Sequence, residues 1–186
     1  MGPEPVRIST PLSEELARSL RVGQRLLLSG TALVARDTAH KRMIEIIGRG
    51  EKLPFEVSGQ VVYYAGPTPA RPGKPVGSMG PTTSGRMDPY VEPLLALGLR
   101  GMIGKGRRSP GVKEALAKYG AVYLAATGGA GALLAECIRS SELLAWPELG
   151  PEAVLRIEMD GFPVLVAVDT VGGDLYEQGQ ATWRST

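Results

Sequence analysis

Residues 66–86 hold five prolines and five glycines, and this stretch constrains the fold more than any other. Proline fixes φ and removes a backbone donor, while glycine opens positive φ, so Gly66-Pro-Thr-Pro-Ala-Arg-Pro-Gly-Lys-Pro-Val-Gly-Ser-Met-Gly-Pro-Thr-Thr-Ser-Gly-Arg86 cannot be a regular helix. A sharply shaped loop system is expected, with room for one short strand near Val76 to Ser78. Regular structure must lie on either side of it.

Before the loop, Ser13 can cap a helix running to about Leu20, and Arg25 to Ser29 reads as a strand ending at Gly30. A helix over Thr38 to Ile47 places Ala39, Met43, Ile46 and Ile47 on one face, reached through the turn Ala35-Arg36-Asp37. Gln60 to Ala65 is a strand that runs straight into the loop. After the loop, helices are expected over Asp88 to Leu97 and Pro110 to Tyr119, each stopped by a glycine. Gly101 to Gly104 and Ala121 to Ala125 are short strands, and a helix runs from about Ala130 to Ser140 with Cys137 a small buried hydrophobe on it. Val154 to Met159 and Phe162 to Val168 read as a hairpin across Asp160-Gly161. Alternating helices and strands make the class α/β with a mixed sheet.

The 186 residues suit a single domain over 1–186, and 43% hydrophobic with 22% charged residues argues against wholesale disorder. A formal net charge of +2 is too small to draw nucleic acid or an anionic membrane by bulk attraction. No segment approaches the roughly 18 apolar residues of a membrane span. The start, Met-Gly-Pro-Glu-Pro, lacks the basic and apolar regions of a secretory signal, so a cytoplasmic location is the default expectation. One cysteine, Cys137, excludes an internal disulfide and argues against a cluster held by this chain alone; one histidine, His40, argues against a zinc site.

Three strand ends carry cations, which is how an α/β sheet presents groups to a shared ligand at its edge. Gly80-Pro-Thr-Thr-Ser-Gly-Arg86 precedes a helix expected to start near Met87 or Asp88, gathering hydroxyls, backbone N–H groups and a guanidinium into a candidate anion site. An ordinary capped helix start with a surface arginine fits the same segment equally well. Lys105, between two glycines, follows the next strand, and a solvated basic turn shared with Arg107 and Arg108 is its plainer interpretation. Arg36 and Asp37 follow the first strand, with His40 and Lys41 just behind. A small dicarboxylate would suit the set, because arginine pairs bidentately with a carboxylate while lysine supplies a point charge. Thr127-Gly-Gly-Ala-Gly131 has no P-loop lysine and fits a tight strand-to-helix turn.

Val62-Tyr-Tyr-Ala-Gly-Pro-Thr-Pro69, Gly77-Ser-Met-Gly-Pro-Thr-Thr-Ser-Gly-Arg-Met-Asp88, Gly104-Lys-Gly106, Ala126-Thr-Gly-Gly129 and Arg36-Asp-Thr-Ala-His-Lys41 together resemble the β-type region of class I fumarases and L-tartrate dehydratases, in the family's order from roughly Gly23 to Gln178. The resemblance implies a swivelling β/β/α domain of three layers. It implies a reversible hydro-lyase, fumarate to malate or tartrate to oxaloacetate, working with a four-iron, four-sulfur cluster bound by a partner α subunit and by none of this chain's residues. It further implies a heteromer, in the family two α and two β chains; the small net charge and the lack of an apolar span predict no nucleic-acid or membrane partner. Arg36, Arg86 and Lys105 would bind the dicarboxylate and Thr82 would stand where the family places its proton-abstracting base, with Asp37, His40 and Thr83 in supporting positions. An alcohol is a poor base unless cations stabilise its alkoxide, so Lys105 stays open as the alternative base. A non-catalytic dicarboxylate-binding module is the alternative to the enzyme.

Overall fold

The computed structural model describes residues 4–184 of the chain; the first residues read for a targeting segment, 1–3, lie outside them. The elements run β1 (Val6–Thr10), α1 (Glu14–Ser19), β2 (Arg25–Val34), α2 (Asp37–Gly48) and β3 (Val61–Tyr63). A 3-10 helix, Ser84–Tyr90, continues into α3 (Val91–Ala96), followed by β4 (Gly101–Gly104), α4 (Pro110–Tyr119), β5 (Val122–Ala125) and α5 (Gly131–Ala135). Then come β6 (Ile138–Ala145), a second 3-10 helix Pro147–Glu152, β7 (Val154–Val168) and α6 (Leu175–Trp183).

The sheet is mixed, in the order β1-β2-β3-β4-β5-β7-β6. Strands β1 to β5 are parallel to their neighbours, and β7 runs antiparallel to β5 and β6. Strand β7 also pairs antiparallel along β2, so the pairings close back on themselves. Parallel strands buried on both faces read as continuous apolar runs rather than alternating ones, and β3 and β4 are buried at every residue. Side chains still alternate between two cores. Val61, Tyr63, Ile103, Val122 and Leu124 pack with Leu26, Leu28 and Phe162 on one side. Val62, Tyr64, Met102 and Tyr123 pack with Met43, Leu94 and Leu116 of the helices on the other. Each such aliphatic side chain removed from water contributes roughly 1.5–3 kcal/mol.

Local signals held where they were strongest. Ser13 caps α1, accepting from the Leu16 N–H at 3.0 Å, and α4 covers the residues expected of it, ending at Gly120 with φ 67°. Four expectations are corrected. Strand β2 does not stop at Gly30 but runs on to Val34, passing Gly30 at φ 105° where its register with β7 shifts and where a side chain would strike the Thr10 carbonyl of β1. The expected hairpin is one continuous strand, β7: Asp160-Gly161 lies opposite Ser29 where the register with β2 shifts, and it forms a bulge rather than a reversal. The helix expected to reach Ser140 ends at Ala135, and the residues from Ile138 pair with β7 as β6, leaving Cys137 half-buried in the turn between them. No strand forms at Val76 to Ser78; the loop folds on itself instead, with Thr68 N–H donating to the Ser78 carbonyl and Gly77 N–H to the Thr68 carbonyl.

Because β2, β3, β4 and β5 are parallel, their C-terminal ends share one edge of the sheet. The segments beginning at Ala35, Tyr64, Lys105 and Ala126 therefore meet there.

Candidate active site

The proline- and glycine-rich loop leaves β3 at Tyr64 and returns to the same place. Thr82 N–H donates to the Tyr64 carbonyl at 2.7 Å, Lys105 N–H donates to the Thr82 carbonyl at 3.2 Å, and Ser84 N–H donates to the Lys105 carbonyl at 2.8 Å. Thr83 and Lys105 thus pair as one parallel rung beyond the end of β4. The fit requires glycine at 104, since a Cβ there would overlap the Ser84 hydroxyl.

Arg86 stands on the first turn of the 3-10 helix and reaches back over this rung. Its Nη2 donates to Thr82 Oγ1 at 2.7 Å, while Nε and Nη2 grip both Asp37 carboxylate oxygens at 2.9 and 2.8 Å. This is the planar bidentate geometry that guanidinium supports and ammonium does not. Its hydrogen bonds among the described residues use Nε and Nη2 and not Nη1. The pair is half-exposed, with 50% of the Arg86 side chain and 36% of the Asp37 side chain accessible, so its worth to stability is small; its worth is in fixing the guanidinium beside Thr82.

Thr82, Arg86 and Asp37 are in direct contact, and Lys105 joins them through the backbone rung. The Lys105 side chain is exposed and lies along the turn after β5, where a Cβ on Gly128 would sit 3.3 Å from its Cδ. Arg36 is turned elsewhere: Nη2 pairs with Glu152 at 3.2 Å, and the guanidinium packs on Gly66. Glu152 also accepts from the Thr38 N–H at 2.8 Å. Burial pulls the Glu152 carboxyl up, but the Thr38 hydrogen bonds and the Arg36 charge outweigh it and hold it below its ordinary value. Thr83 is exposed and makes no side-chain capping bond. The helix-terminus anion site is also corrected: the helix starts at Ser84, and its first N–H is taken by the Lys105 carbonyl. The Thr82 hydroxyl and Arg86 guanidinium meet one another at 2.7 Å, and that N–H is already paired.

His40 is fully buried on α2, with Nδ1 3.1 Å from the Arg36 carbonyl and Nε2 without a partner. Burial pushes its pKa down to about 4, with the Arg108 charge adding to the effect and the Arg36 carbonyl opposing it. The residue that sequence patterning misplaced is Arg108. Expected on a solvated basic turn, it is 5% exposed, bonded through Nε to Asp88 at 2.7 Å, with its guanidinium 5.4 Å from the Tyr64 ring and 5.0 Å from the Tyr123 ring. Tyr123 in turn donates to the Gly106 carbonyl at 2.8 Å and meets Ser84 Oγ at 2.9 Å. No local pattern distinguishes Arg108 from Arg107, because its partners, Asp88, Tyr64 and Tyr123, come from three other segments of the chain.

Nothing in this set suits a four-iron, four-sulfur cluster. Cys137 is the one cysteine of the sequence, burial raises its thiol pKa, and its sulfur faces the Leu133 and Gly161 carbonyls at 3.9 Å. Among the described residues there is no group of three His, Cys, Asp or Glu side chains placed to hold a metal ion, and no helix long and apolar enough to cross a membrane.

Residues 3–179 match the family described as the fumarase C-terminus. The chain is 43% identical over 177 residues to the anaerobic class I fumarate hydratase of Escherichia coli (strain K12), covering 93% of this chain and 32% of that protein. It is 45% identical over 177 residues to the mitochondrial fumarate hydratase 1 of Leishmania major, covering 93% and 32%. A provisionally named L(+)-tartrate dehydratase subunit beta of Methanocaldococcus jannaschii is 38% identical over 173 residues, covering 90% of this chain and 89% of that one. The chain therefore spans about a third of the length of the fumarate hydratases it matches, and nearly the whole of the separate subunit.

Proposed function

The chain belongs to the fumarase C-terminus family, and from that premise we propose that it is the β subunit of a two-subunit hydro-lyase, hydrating fumarate to malate reversibly. A tartrate dehydratase β subunit is the second reading, favoured by the near full-length match to a subunit of that name.

The observation that carries the proposal is the Arg86–Thr82 contact at 2.7 Å. Removing water from a 2-hydroxy dicarboxylate needs cations for the carboxylates and a base for the carbon-bound proton. A guanidinium donating to Oγ1 lowers the cost of an alkoxide on Thr82, which is the condition a hydroxyl base must meet. Arg86 Nη1 and the Lys105 ammonium then hold substrate carboxylates on either side of the Thr83–Lys105 rung, and Arg36 closes the site from the β2 end when a substrate carboxylate competes with Glu152. Asp37 fixes the Arg86 fork, while His40 and Thr83 support from α2 and the loop.

In this proposal the α subunit would hold a four-iron, four-sulfur cluster, and the chemistry that group would supply is Lewis acidity. The half-exposed Arg86 and Asp37 fit a site that a second surface completes. The assembly is two α and two β chains in the cytoplasm, and the described residues form one swivelling β/β/α domain, a three-layer reading supported by the two cores on opposite faces of the parallel strands.

The test is co-expression with an α-type partner under anaerobic, iron-replete conditions, with fumarate and tartrate assayed separately. Thr82→Ala should lower kcat roughly 10²- to 10⁴-fold, the usual worth of a positioned base, with bound dicarboxylate retained. Near-normal turnover would remove Thr82 from that role and leave it to Lys105, for which Lys105→Met is the matching variant. Failure to form a complex and to act on either substrate would favour a dicarboxylate-binding module.

A further inference from the structure

We propose that Arg108, Tyr64 and His40 form a directional hydrogen-bond chain beneath the candidate site and that this chain keeps its strand-end segments in register. All three side chains are buried, with accessibilities of 5%, 0% and 0%. Arg108 Nη2, Tyr64 Oη and His40 Nε2 each lack a hydrogen-bond partner among the described residues. The side chains adjoin one another: the His40 and Tyr64 rings are 5.2 Å apart edge to face, and the Arg108 guanidinium lies 5.4 Å from the Tyr64 ring. Buried polar atoms are nearly always paired, directly or through an ordered water, and three orphans on adjoining side chains can satisfy one another.

Their chemistry fixes one direction. A guanidinium only donates and the Arg36 carbonyl only accepts. His40 Nδ1, 3.1 Å from that carbonyl, must carry the ring proton, so Nε2 is left as an acceptor. The Tyr64 hydroxyl does both, and the order is Arg108 to Tyr64 to His40 to the Arg36 carbonyl.

Each member also touches a segment of the site. His40 ends on the residue before Asp37, which grips Arg86. The Tyr64 carbonyl holds the Thr82 N–H at 2.7 Å. Arg108 holds Asp88, close behind Arg86, while its own segment carries Lys105. These are positioning residues, since none reaches the exposed face of the site. The kinetic consequence rests on the proposed hydro-lyase function; the chain itself does not.

The sequence has one histidine, so ¹⁵N-histidine labelling reports His40 alone. The expected spectrum is a neutral ring protonated on Nδ1, with Nε2 accepting a hydrogen bond. Tyr64→Phe, which keeps the ring and removes the hydroxyl, should move the Nε2 signal to that of an unbonded acceptor. In the assembled enzyme it should lower kcat/KM roughly 10- to 100-fold, the scale of a small misplacement of catalytic groups, without preventing assembly. A ring protonated on Nε2 in the wild-type chain, or an Nε2 signal unmoved by Tyr64→Phe, would overturn the chain. A moved signal with unchanged kcat/KM would overturn its role in register. Absence of turnover by the wild-type assembly with either substrate would count against the hydro-lyase reading, while the labelled spectra would still decide the chain.

Discussion

Lowering the pH from about 7.5 to about 4.5 protonates His40 in the unfolded chain while the folded chain still holds it neutral. The unfolded ring titrates near its ordinary 6.5 and the folded ring near 4, because burial away from water disfavours the imidazolium and the Arg108 charge adds to that cost. Since the unfolded state binds the extra proton, acid favours unfolding. The stabilisation is complete above pH 6.5, declines as the pH falls through the window, and is lost below about 4. At about 1.4 kcal/mol for each tenfold change in proton affinity, the gap amounts to about 3 kcal/mol in full. Carboxylates titrate in the same range, so the wild-type curve alone does not isolate the histidine. His40→Gln keeps a neutral donor for the Arg36 carbonyl and cannot titrate. Urea unfolding of both proteins across the window should give curves that converge toward acid, the wild type losing about 2 to 3 kcal/mol more than the variant. Parallel curves would mean that His40 takes up its proton equally in both states, and the argument from burial would fail.

Arg108→Met should destabilise the chain by about 3–5 kcal/mol in the same unfolding assay, because it leaves the largely buried Asp88 carboxylate without its cation; a change below about 1 kcal/mol would show that the pair contributes little. Gly104→Ala should cost about 1–3 kcal/mol, since the added methyl meets the Ser84 hydroxyl and Ser84 cannot withdraw without breaking the Tyr123 and Lys105 contacts. A variant as stable as the wild type would show that Ser84 has room to move away from residue 104.

Much of the framework was legible because its causes are local. Pro110 at the start of α4 and Gly120 at its end act within a turn of the residues they affect, and the prolines of the long loop exclude regular structure wherever the chain places them. Strand β7 was not legible in this way. Asp160-Gly161 suits a hairpin turn or a bulge, and only the pairing with β2, whose register shifts at Gly30, selects the bulge. Likewise Ile138 to Ala145 has no strong preference of its own and becomes a strand because β7 offers it an edge.

The site divides along the same line. The sequence by itself determined which groups are present: one hydroxyl motif with a following arginine, a lysine between glycines, an Arg-Asp pair, and too few cysteines for a cluster. Only the tertiary structure decided which of them meet. Arg86 bridges Thr82 and Asp37, Lys105 shares a rung with Thr83, Arg36 turns to Glu152, 116 residues away in the chain, and Arg108 goes inward. Capping and steric exclusion act over a few residues and leave a local signature. The fate of a charge depends on which distant partners desolvate it, and no short stretch of sequence contains them.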